Sequence, residues 1–297
     1  MEPLSKKRVL ITGAEGFTGQ HLTSYLEDKD FDVIGTSLNS GRSKMIQLNI
    51  DDVENIRRVV KDTRPDFIVH LAAISFVNHP NSLDFYRINT LGTENLLKSL
   101  IDVSHVPQKI LIPSSATIYG NQGVTVLDES MVPKPANHYG CSKLAMERIV
   151  FNYFERLPLL ISRPFNYTGP RQGDNFLIPK LVNHFKNRED VIELGNIDVK
   201  REFNSIDFLC EVYFRLLMSD VHSQILNVCS SITYSITEIL NELEQLARHQ
   251  IEIKVNPKFV RKNEIFELRG STSLLSTFIQ IPESKPICDT LKDMLEN

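Results

Sequence analysis

The sequence predicts an α/β protein built on a doubly wound parallel sheet, followed by a smaller mixed α/β lobe. Short β-branched runs alternate with helically spaced apolar residues through the first half of the 297-residue chain. Runs such as "FIVHLAA" are apolar at nearly every position, which is typical of parallel strands covered on both faces. Because crossovers between parallel strands are right-handed, this order of elements gives a Rossmann-type sheet.

The elements follow in a regular order up to about residue 165. "RVLITG" predicts the first strand at 8–13, and "GQHLTSYLEDK" predicts a helix at 19–29 with helical spacing of Leu22, Tyr25 and Leu26. Further strands are predicted at 31–37, 45–50, 67–73, 109–115 and 158–165, and further helices at 52–63, 90–103 and 139–156.

The pattern changes after residue 165. "NYTGPRQGDN" indicates a loop, "LIPKLVNHFKN" and "ITEILNELEQLARHQ" indicate helices, and "QILNVCSS" indicates a strand. "REFNSIDFLCEVYFRLLMSD" predicts a short extended piece followed by a helix. The alternation weakens from about residue 250, so that region is expected to be irregular.

Composition and charge exclude several classes of protein. The formal net charge is −4 without a long basic run, so we expect no nucleic-acid partner. The apolar runs are strand-sized, and "MEPLSKKRVLITG" has no apolar signal core, so we expect a cytoplasmic protein without a membrane partner. The four cysteines are scattered, which predicts neither a disulfide framework nor a metal site.

A glycine-rich loop follows the first strand. "ITGAEGFTG" places Gly13, Gly16 and Gly19 between that strand and the first helix. Glycine at these points permits a tight turn and a close approach of the backbone to a pyrophosphate, which then faces a helix N-terminus. The context predicts a dinucleotide-binding domain at 1–165, with the chain crossing back near 200–230, and a mainly substrate-binding lobe at 166–297.

The end of the second strand bears on the choice of cofactor. Folds that prefer NAD usually carry Asp or Glu there, but "VIGTSLNSGRSK" has no carboxylate after Gly35. Ser37, Arg42 and Lys44 offer a hydroxyl and two cations, which suit a 2′-phosphate. The sequence therefore favours NADP (as NADPH), with NAD left as the alternative.

A tyrosine and a lysine four residues apart form the candidate catalytic group. Tyr139 and Lys143 would lie one above the other on a helix, and a strand ending at Ser115 precedes them. A tyrosine can donate its proton to a carbonyl oxygen that receives a hydride. We expect the lysine ammonium and the positive nicotinamide of the oxidised cofactor to lower the pKa of Tyr139, and Ser115 to hold the same oxygen by a hydrogen bond.

Six motifs together resemble one family over nearly the whole chain. "ITGAEGFTG", "HLAA", "NTLGTENLL", "PSSATIYG", "HYGCSK" and "RPFNYTGPRQ" stand in the order found in extended short-chain dehydrogenases/reductases that modify nucleotide sugars. The resemblance implies that Ser115, Tyr139 and Lys143 are catalytic. The implied cofactor contacts are Gly13, Gly16, Phe17, Gly19, Ser37, Arg42, Asn49, Ile50, Leu71, Ala72, Ala73, Asn89, Tyr139 and Lys143. The implied substrate contacts are Thr117, Asn166, Arg171, Lys180, Arg201, Arg261 and Glu264, with Lys262 standing where the family usually has proline.

The resemblance leaves more than one reaction open. Dehydratases of the family carry an acidic pair after the catalytic Ser or Thr, but this chain has Ala116 and Thr117, so elimination lacks its acid and base. "RPFNYTGPRQGDNFLIPKLV" resembles the 4-keto-6-deoxyhexose reductases, which implies NADPH-dependent reduction of a sugar linked to GDP, with dTDP or CDP as alternatives, for a surface polysaccharide. "SSATIYG" also resembles the NAD-dependent UDP-hexose 4-epimerases. A non-enzymatic cofactor-binding sensor is a third reading.

Many relatives dimerise through two helices equivalent to 90–103 and 139–156, so we expect a homodimer joined by a four-helix bundle.

Overall fold

The computed structural model describes residues 6–39, 45–77, 79–256 and 266–296. The strands are β1 (Arg8–Thr12), β2 (Asp32–Ser37), β3 (Ile46–Gln47), β4 (Phe67–His70), β5 (Lys109–Pro113), β6 (Val126–Leu127), β7 (Leu159–Pro164), β8 (Tyr167–Thr168), β9 (Val191–Leu194), β10 (Lys200–Glu202), β11 (Asn204–Ser205), β12 (Gln224–Val228), β13 (Thr233–Ser235), β14 (Glu252–Val255) and β15 (Glu267–Gly270). The α-helices are α1 (Phe17–Asp28), α2 (Val53–Thr63), α3 (Ser82–Asp84), α4 (Thr93–Asp102), α5 (His138–Phe151), α6 (Leu177–Lys186), α7 (Ile206–Met218), α8 (Ile236–Ala247) and α9 (Ile287–Glu296).

The central sheet is parallel throughout and runs β3-β2-β1-β4-β5-β7-β12. Strand order reverses at β1, which is the switch point where folds of this kind bind their ligands. The predicted α/β class with a Rossmann-type sheet is confirmed.

Alternate residues of each strand serve two separate cores, as a pleated strand requires. Val9 and Ile11 of β1 face the core closed by α1 and α7, whereas Leu10 faces the core closed by α2, α4 and α5. The cores on both faces hold the C-terminal edge of the sheet rigid, so that the loops leaving it can position side chains.

A second, smaller group of elements carries its own core. Residues from α6, α8 and α9 pack with β9 and β14, and a mixed sheet runs β13-β10-β15-β6. The chain crosses between the two groups twice. Strand β12 follows β9 and β10 in the chain but pairs with β7 in the large sheet. Strand β6 precedes β7 in the chain but pairs with β15 in the small sheet. The division of the chain at residue 165 stays a prediction.

Most predicted elements lie within a few residues of the observed ones, but three regions differ. The segment Phe85–Gly92, which precedes α4, is a π-helix. The run 45–50 forms only the two-residue strand β3. The irregular region after 250 contains β14, β15 and α9, which the sequence did not separate. In the described part of the chain, no helix has the length and apolar character needed to cross a bilayer.

Candidate active site

The loop between β1 and α1 requires its glycines. Gly13 has φ of +69°, and a Cβ there would lie 2.8 Å from the backbone nitrogen of Ala72. A Cβ at Gly19 would lie 2.5 Å from the carbonyl oxygen of Gly13. The loop therefore packs directly against the start of its own helix and against the loop after β4.

The N-terminus of α1 fits the pyrophosphate of a dinucleotide. Gly16 is the N-cap residue, no side chain caps the helix, and its first turn has no acidic residue. The backbone N–H groups of the first turn and the helix dipole favour an anion at this end. The glycine positions fit the predicted cofactor site.

A carboxylate from this loop reaches the end of β2. The Ser37 hydroxyl, on a side chain that is almost fully buried, donates to Glu15 Oε2 over 2.7 Å. Of the other two residues on which the NADP prediction rests, Arg42 and Lys44, neither is among the described residues. Asn49 is half-buried and its Oδ1 accepts from the backbone of Asp51, while Ile50 is buried against Gly92.

The loop after β4 is fastened to β1 through a buried histidine. Thr12 Oγ1 accepts from the Ala72 backbone N–H over 3.1 Å and lies 2.7 Å from His70 Nδ1. His70 Nε2 lies 3.0 Å from Thr93 Oγ1. Burial lowers the pKa of His70 to about 3, so the imidazole is neutral and bridges two hydroxyls. Leu71, Ala72 and Ala73 are half-buried on this loop, and their contact with a cofactor stays a prediction.

Asn89 holds three parts of the site together. Its Oδ1 accepts from the Ile74 backbone N–H over 2.8 Å, and its Nδ2 donates to the Ile74 carbonyl and to Ser142 Oγ. The amide thus joins the π-helical segment, the loop after β4 and α5. Its direct contact with a cofactor stays a prediction.

Ser115 and Thr117 form a hydroxyl pair just beyond β5. Ser115 caps the 3-10 turn Ala116–Tyr119, accepting from the Thr117 backbone N–H, and its hydroxyl donates to Thr117 Oγ1 over 2.9 Å. Gly140 lets α5 approach this turn, because a Cβ there would lie 3.2 Å from the Thr117 carbonyl oxygen. The close approach brings Tyr139, the neighbour of Gly140, to the Ser115 side chain, which interacts with the phenol.

Lys143 lies one turn along α5 from Tyr139, as the four-residue spacing predicts. It is buried, and its Nζ donates to the Pro113 carbonyl oxygen over 2.7 Å. The structure therefore gathers Ser115, Thr117, Tyr139 and Lys143 at the carboxyl end of β5, which is the edge where this class of sheet binds ligands.

The two titratable groups have pKa values moved by burial. Burial raises the pKa of Tyr139 to about 12, although the interaction with the Ser115 side chain opposes the rise. Burial lowers the pKa of Lys143 to about 8, and Glu147 opposes that fall. The pKa of Tyr139 is therefore raised in the protein without its cofactor and not lowered as expected, because desolvation of the phenolate is the largest influence on it.

A buried ion pair supports α5 behind Lys143. Glu147, one turn further along, accepts from Arg163 Nε over 3.0 Å and from Nη2 over 2.7 Å, and both side chains are almost fully buried. Arg163 Nη1 also donates to the Tyr119 hydroxyl, which donates to Asn227 Oδ1. The network ties α5 to β7, β12 and the turn after Ser115.

The expected substrate contacts are only partly gathered. Thr117 lies beside Ser115, and Asn166 is exposed after β7, where its carbonyl accepts from the Asn204 backbone. Arg171 is exposed in the loop before α6, Lys180 lies half-buried on α6, and Arg201 on β10 donates to the Lys200 carbonyl. Arg261 and Glu264 lie outside the described residues. The roles of all these side chains toward a substrate stay predictions.

Several residues that support the site were not predicted from the sequence. Glu147 could have been found, since it stands four residues after Lys143 in "HYGCSKLAMERIV". His70 stands within the quoted "HLAA", but its two threonine partners are distant in sequence. Tyr167, which stacks on Phe17 at 6.0 Å and bonds the Thr18 hydroxyl, had no signal beyond its motif. Among the described residues, no three His, Cys, Asp or Glu side chains cluster as metal ligands would.

The fold and this site define an NAD(P)-binding enzyme of the nucleotide-sugar-modifying short-chain dehydrogenase/reductase class. Residues 9–229 match the NAD dependent epimerase/dehydratase family, and the chain belongs to that family. It is 39% identical over 269 residues to GDP-6-deoxy-D-talose 4-dehydrogenase of Aggregatibacter actinomycetemcomitans, with 90% of each chain covered. It is 30% identical over 280 residues to GDP-6-deoxy-D-mannose reductase of Pseudomonas aeruginosa, covering 91% of this chain and 90% of that one.

A solved structure agrees with the fold over nearly the whole length. The structure is described as RMD from Pseudomonas aeruginosa complexed with NADPH, and it superposes with a TM-score of 0.86 at 27% identity, covering 98% of each chain. The predicted resemblance to the family, including its GDP-sugar reductases, is confirmed.

Proposed function

We propose that this protein transfers hydride at C4 of a GDP-linked 6-deoxyhexose, acting as a 4-keto reductase with a reduced nicotinamide dinucleotide. The observation that carries the proposal is the contact of Tyr139 with Ser115 at the end of β5, with Lys143 one helical turn away. This arrangement can hold a carbonyl oxygen and protonate it.

The protonation state of Tyr139 suits a proton donor in reduction. A phenol with a pKa of about 12 is protonated at neutral pH, so it is ready to donate its proton to the oxygen at C4. The bound dinucleotide supplies the hydride. Ser115 holds the same oxygen through its hydroxyl, and Thr117 fixes the orientation of Ser115. Lys143 places a positive charge at the carboxyl end of β5, which stabilises negative charge that develops nearby.

The choice of a GDP-sugar rests on two relatives. The two relatives described above, at 39% and 30% identity over most of the chain, both carry names with a GDP-linked 6-deoxyhexose. One is named a 4-dehydrogenase and the other a reductase, and hydride transfer at one carbon is reversible. We place this chain with the same substrate class, with dTDP- and CDP-sugars as the alternatives.

The sequence-based choice of NADPH has support and opposition. The Pseudomonas aeruginosa structure described with NADPH supports it. The engagement of the Ser37 hydroxyl by Glu15 opposes it.

The test offers GDP-4-keto-6-deoxy-D-mannose and its dTDP counterpart separately, with NADPH or NADH, and follows dinucleotide oxidation by absorbance. We expect rapid oxidation with the GDP-sugar, and proton NMR of the product then gives the configuration at C4. Tyr139→Phe is the matched negative control. Interconversion of UDP-hexoses without added cofactor, and no oxidation with either keto sugar, would replace the reductase by the 4-epimerase. Dinucleotide binding without either reaction would indicate the non-enzymatic sensor.

We also propose a cytoplasmic homodimer that supplies a deoxysugar for a surface polysaccharide. The dimer would form through α4 and α5, near which Leu91 and Phe151 are exposed, and Phe151 packs on Phe154 with ring centroids 4.6 Å apart. Light scattering at micromolar concentration tests it, and a clean monomer would contradict it.

A further inference from the structure

The carboxyl edge of the central sheet extends beyond the catalytic group. The glycine loop leaves β1, and Ser115 lies just beyond the end of β5. Strands β7 and β12 follow β5 in the sheet, so their ends lie on the far side of the catalytic group from the glycine loop. A dinucleotide that reaches from the glycine loop to Tyr139 leaves the ends of β7 and β12 to a second ligand. The nucleotide sugar of the proposed function would lie there.

The small sheet packs against the ends of these two strands. Strand β15 ends at Gly270, where a Cβ would lie 2.6 Å from Phe165 Cε2 and 2.7 Å from Cys229 Sγ. Phe165 directly follows β7 and Cys229 directly follows β12, and the Phe165 backbone N–H donates to the Val228 carbonyl over 3.0 Å. Because Gly270 has no side chain, β15 can approach both strand ends this closely.

A buried carboxylate joins the small sheet to the same strand ends. Glu202 is the last residue of β10 and is 1% exposed. Its Oε1 accepts from the Gly270 backbone N–H over 2.6 Å, and its Oε2 accepts from the Ser230 backbone N–H over 2.9 Å. Oε2 also accepts from Asn204 Nδ2 over 3.1 Å. One side chain therefore connects β10, β15 and the segment that follows β12.

The partners of Glu202 suit a charged carboxylate. All three are N–H groups, which donate to an ionised carboxylate and accept nothing from a protonated one. Burial raises the pKa of Glu202, and its three N–H partners oppose the rise. A glutamine at this position would turn its own NH2 group toward at least one of these donors, so the connection depends on the carboxylate.

Asn204 extends this connection to the segment after β7. Its Nδ2 lies 3.3 Å from the Asn166 carbonyl oxygen and donates to it, and its backbone N–H donates to the same oxygen over 2.9 Å. The amide oxygen of Asn204 is buried and has no hydrogen-bond partner among the described residues. The reverse orientation of the amide would place that oxygen against the oxygens of Asn166 and Glu202. The bonds of Nδ2 therefore determine how Asn204 is held.

We infer that Glu202 is a positioning residue for the nucleotide sugar, because it holds the small sheet and Asn166 in place at the ends of β7 and β12. Since Glu202 is buried, it acts through the segments that it connects and not by contact with the ligand. Loosening these segments should weaken binding of the sugar nucleotide, whereas the glycine loop, Tyr139 and Lys143 keep their own supports. The inference rests on the proposed function, because its ligand is the substrate of that same site.

Steady-state kinetics of Glu202→Gln with GDP-4-keto-6-deoxy-D-mannose separates this role from a purely structural one. We expect KM for the sugar nucleotide to rise at least about tenfold, with kcat within about threefold of the wild type. Calorimetric titration with GDP should show a similar loss of affinity, whereas titration of the same protein with NADH and NADPH should give wild-type dissociation constants. A purely structural role would lower the thermal midpoint and leave KM of the folded protein unchanged.

Asn204→Ala is the second variant, because it removes the side-chain bonds to Asn166 and Glu202 and keeps the backbone bond to Asn166. We expect a smaller rise in KM, of about threefold or more. Glu129→Gln is the matched control. Its half-buried carboxylate also accepts from a backbone N–H of β12, that of Asn227, over 2.7 Å, but Glu129 lies on neither β10 nor β15, so KM should stay at the wild-type value.

Thermal melts confirm that each variant is folded, and Asn204→Ala decides alone if Glu202→Gln does not fold. Unchanged KM in the folded variants overturns the inference and leaves the proposed reduction standing. A wild type that oxidises neither dinucleotide with the GDP-linked or the dTDP-linked keto sugar overturns the proposed function, and the GDP titration then decides the inference. Weaker binding of GDP by the variants than by the wild type supports it for a nucleotide ligand, and equal or absent binding of GDP overturns it.

Discussion

The Nζ of Lys143 lies 2.7 Å from the carbonyl oxygen of Pro113, the last residue of β5. This hydrogen bond holds the lysine at the end of the strand that carries Ser115, while burial lowers the pKa of Lys143 to about 8. The ammonium therefore loses its proton within the range in which activity can be measured.

We expect kcat/KM for reduction to fall as pH rises through about 8, because Lys143 then loses the charge that stabilises negative charge near Tyr139. Lys143→Arg keeps its charge at alkaline pH, so its lower activity should show no fall between pH 8 and roughly pH 10. The control is Lys98→Arg, on an exposed lysine of α4. An alkaline fall that persists in Lys143→Arg would assign it to another group.

Tyr139→Phe removes the proton donor and little else. We expect kcat to fall by about 10²- to 10⁴-fold, with dinucleotide binding retained, because the ring packing survives and the hydroxyl does not. Ser115→Ala should lose about 10²-fold, since one donor to the oxygen is removed. Tyr153→Phe, whose hydroxyl contacts Glu94 at 3.3 Å, is the control and should keep its activity. Activity surviving in Tyr139→Phe would refute the proposed mechanism.

The sequence predicts those parts of this site that local spacing determines. The four-residue interval between Tyr139 and Lys143 fixes their common helix face, and the position of the glycines after a strand fixes the turn. Contacts between segments that are far apart in the sequence leave no such spacing pattern. The pairs Glu15 with Ser37 and His70 with Thr12 form only when parallel strands are placed side by side.

Burial is the second quantity that the sequence could not supply. The spacing predicts that the Lys143 ammonium lowers the pKa of Tyr139, yet the sign depends on how much water reaches the phenol. In the folded chain desolvation is the largest influence on both groups, and it moves their pKa values in opposite directions. The protonation states of Tyr139 and Lys143 therefore follow from packing, which only the structure gives.

Because His70 is buried and neutral, we expect the protein to lose stability in acid. Its pKa of about 3 in the folded state lies below the unfolded value of roughly 6.5, so the unfolded chain binds more protons at intermediate pH. Stability should rise with pH between about 3 and 6.5 and be fully present above that range. At pH 5 this histidine alone should lower the free energy of unfolding by about 2 kcal/mol relative to pH 8.

Urea unfolding of the wild type and of His70→Asn at the two pH values isolates the contribution of His70. Asparagine can still bond Thr12 in place of Nδ1 but does not titrate, so the stability of the variant should change less with pH by about 2 kcal/mol. His222→Asn, on an exposed histidine, is the control and should behave as the wild type does. Equal pH dependence in His70→Asn and in the wild type would contradict a neutral, buried His70.

Glu147 and Arg163 should show strong coupling, since both lie in a protein interior where an unpaired charge is costly. We expect Glu147→Gln or Arg163→Met alone to lower the free energy of unfolding by about 3 kcal/mol, because each leaves a buried partner uncompensated. The double variant should lose less than the sum of the two, and urea unfolding of all four proteins gives the coupling energy. Glu54→Gln, in an exposed ion pair with Arg57, should show no resolvable change.

The same pair also predicts a change in the pH profile that a purely structural role would not produce. Glu147 raises the pKa of Lys143 against the effect of burial. In folded Glu147→Gln the alkaline fall in kcat/KM should therefore begin at a lower pH than in the wild type, whereas Arg163→Met keeps the carboxylate and should not shift the fall downward. If both variants only lose stability and keep the wild-type profile, the ion pair holds α5 in place without acting on the charge of Lys143.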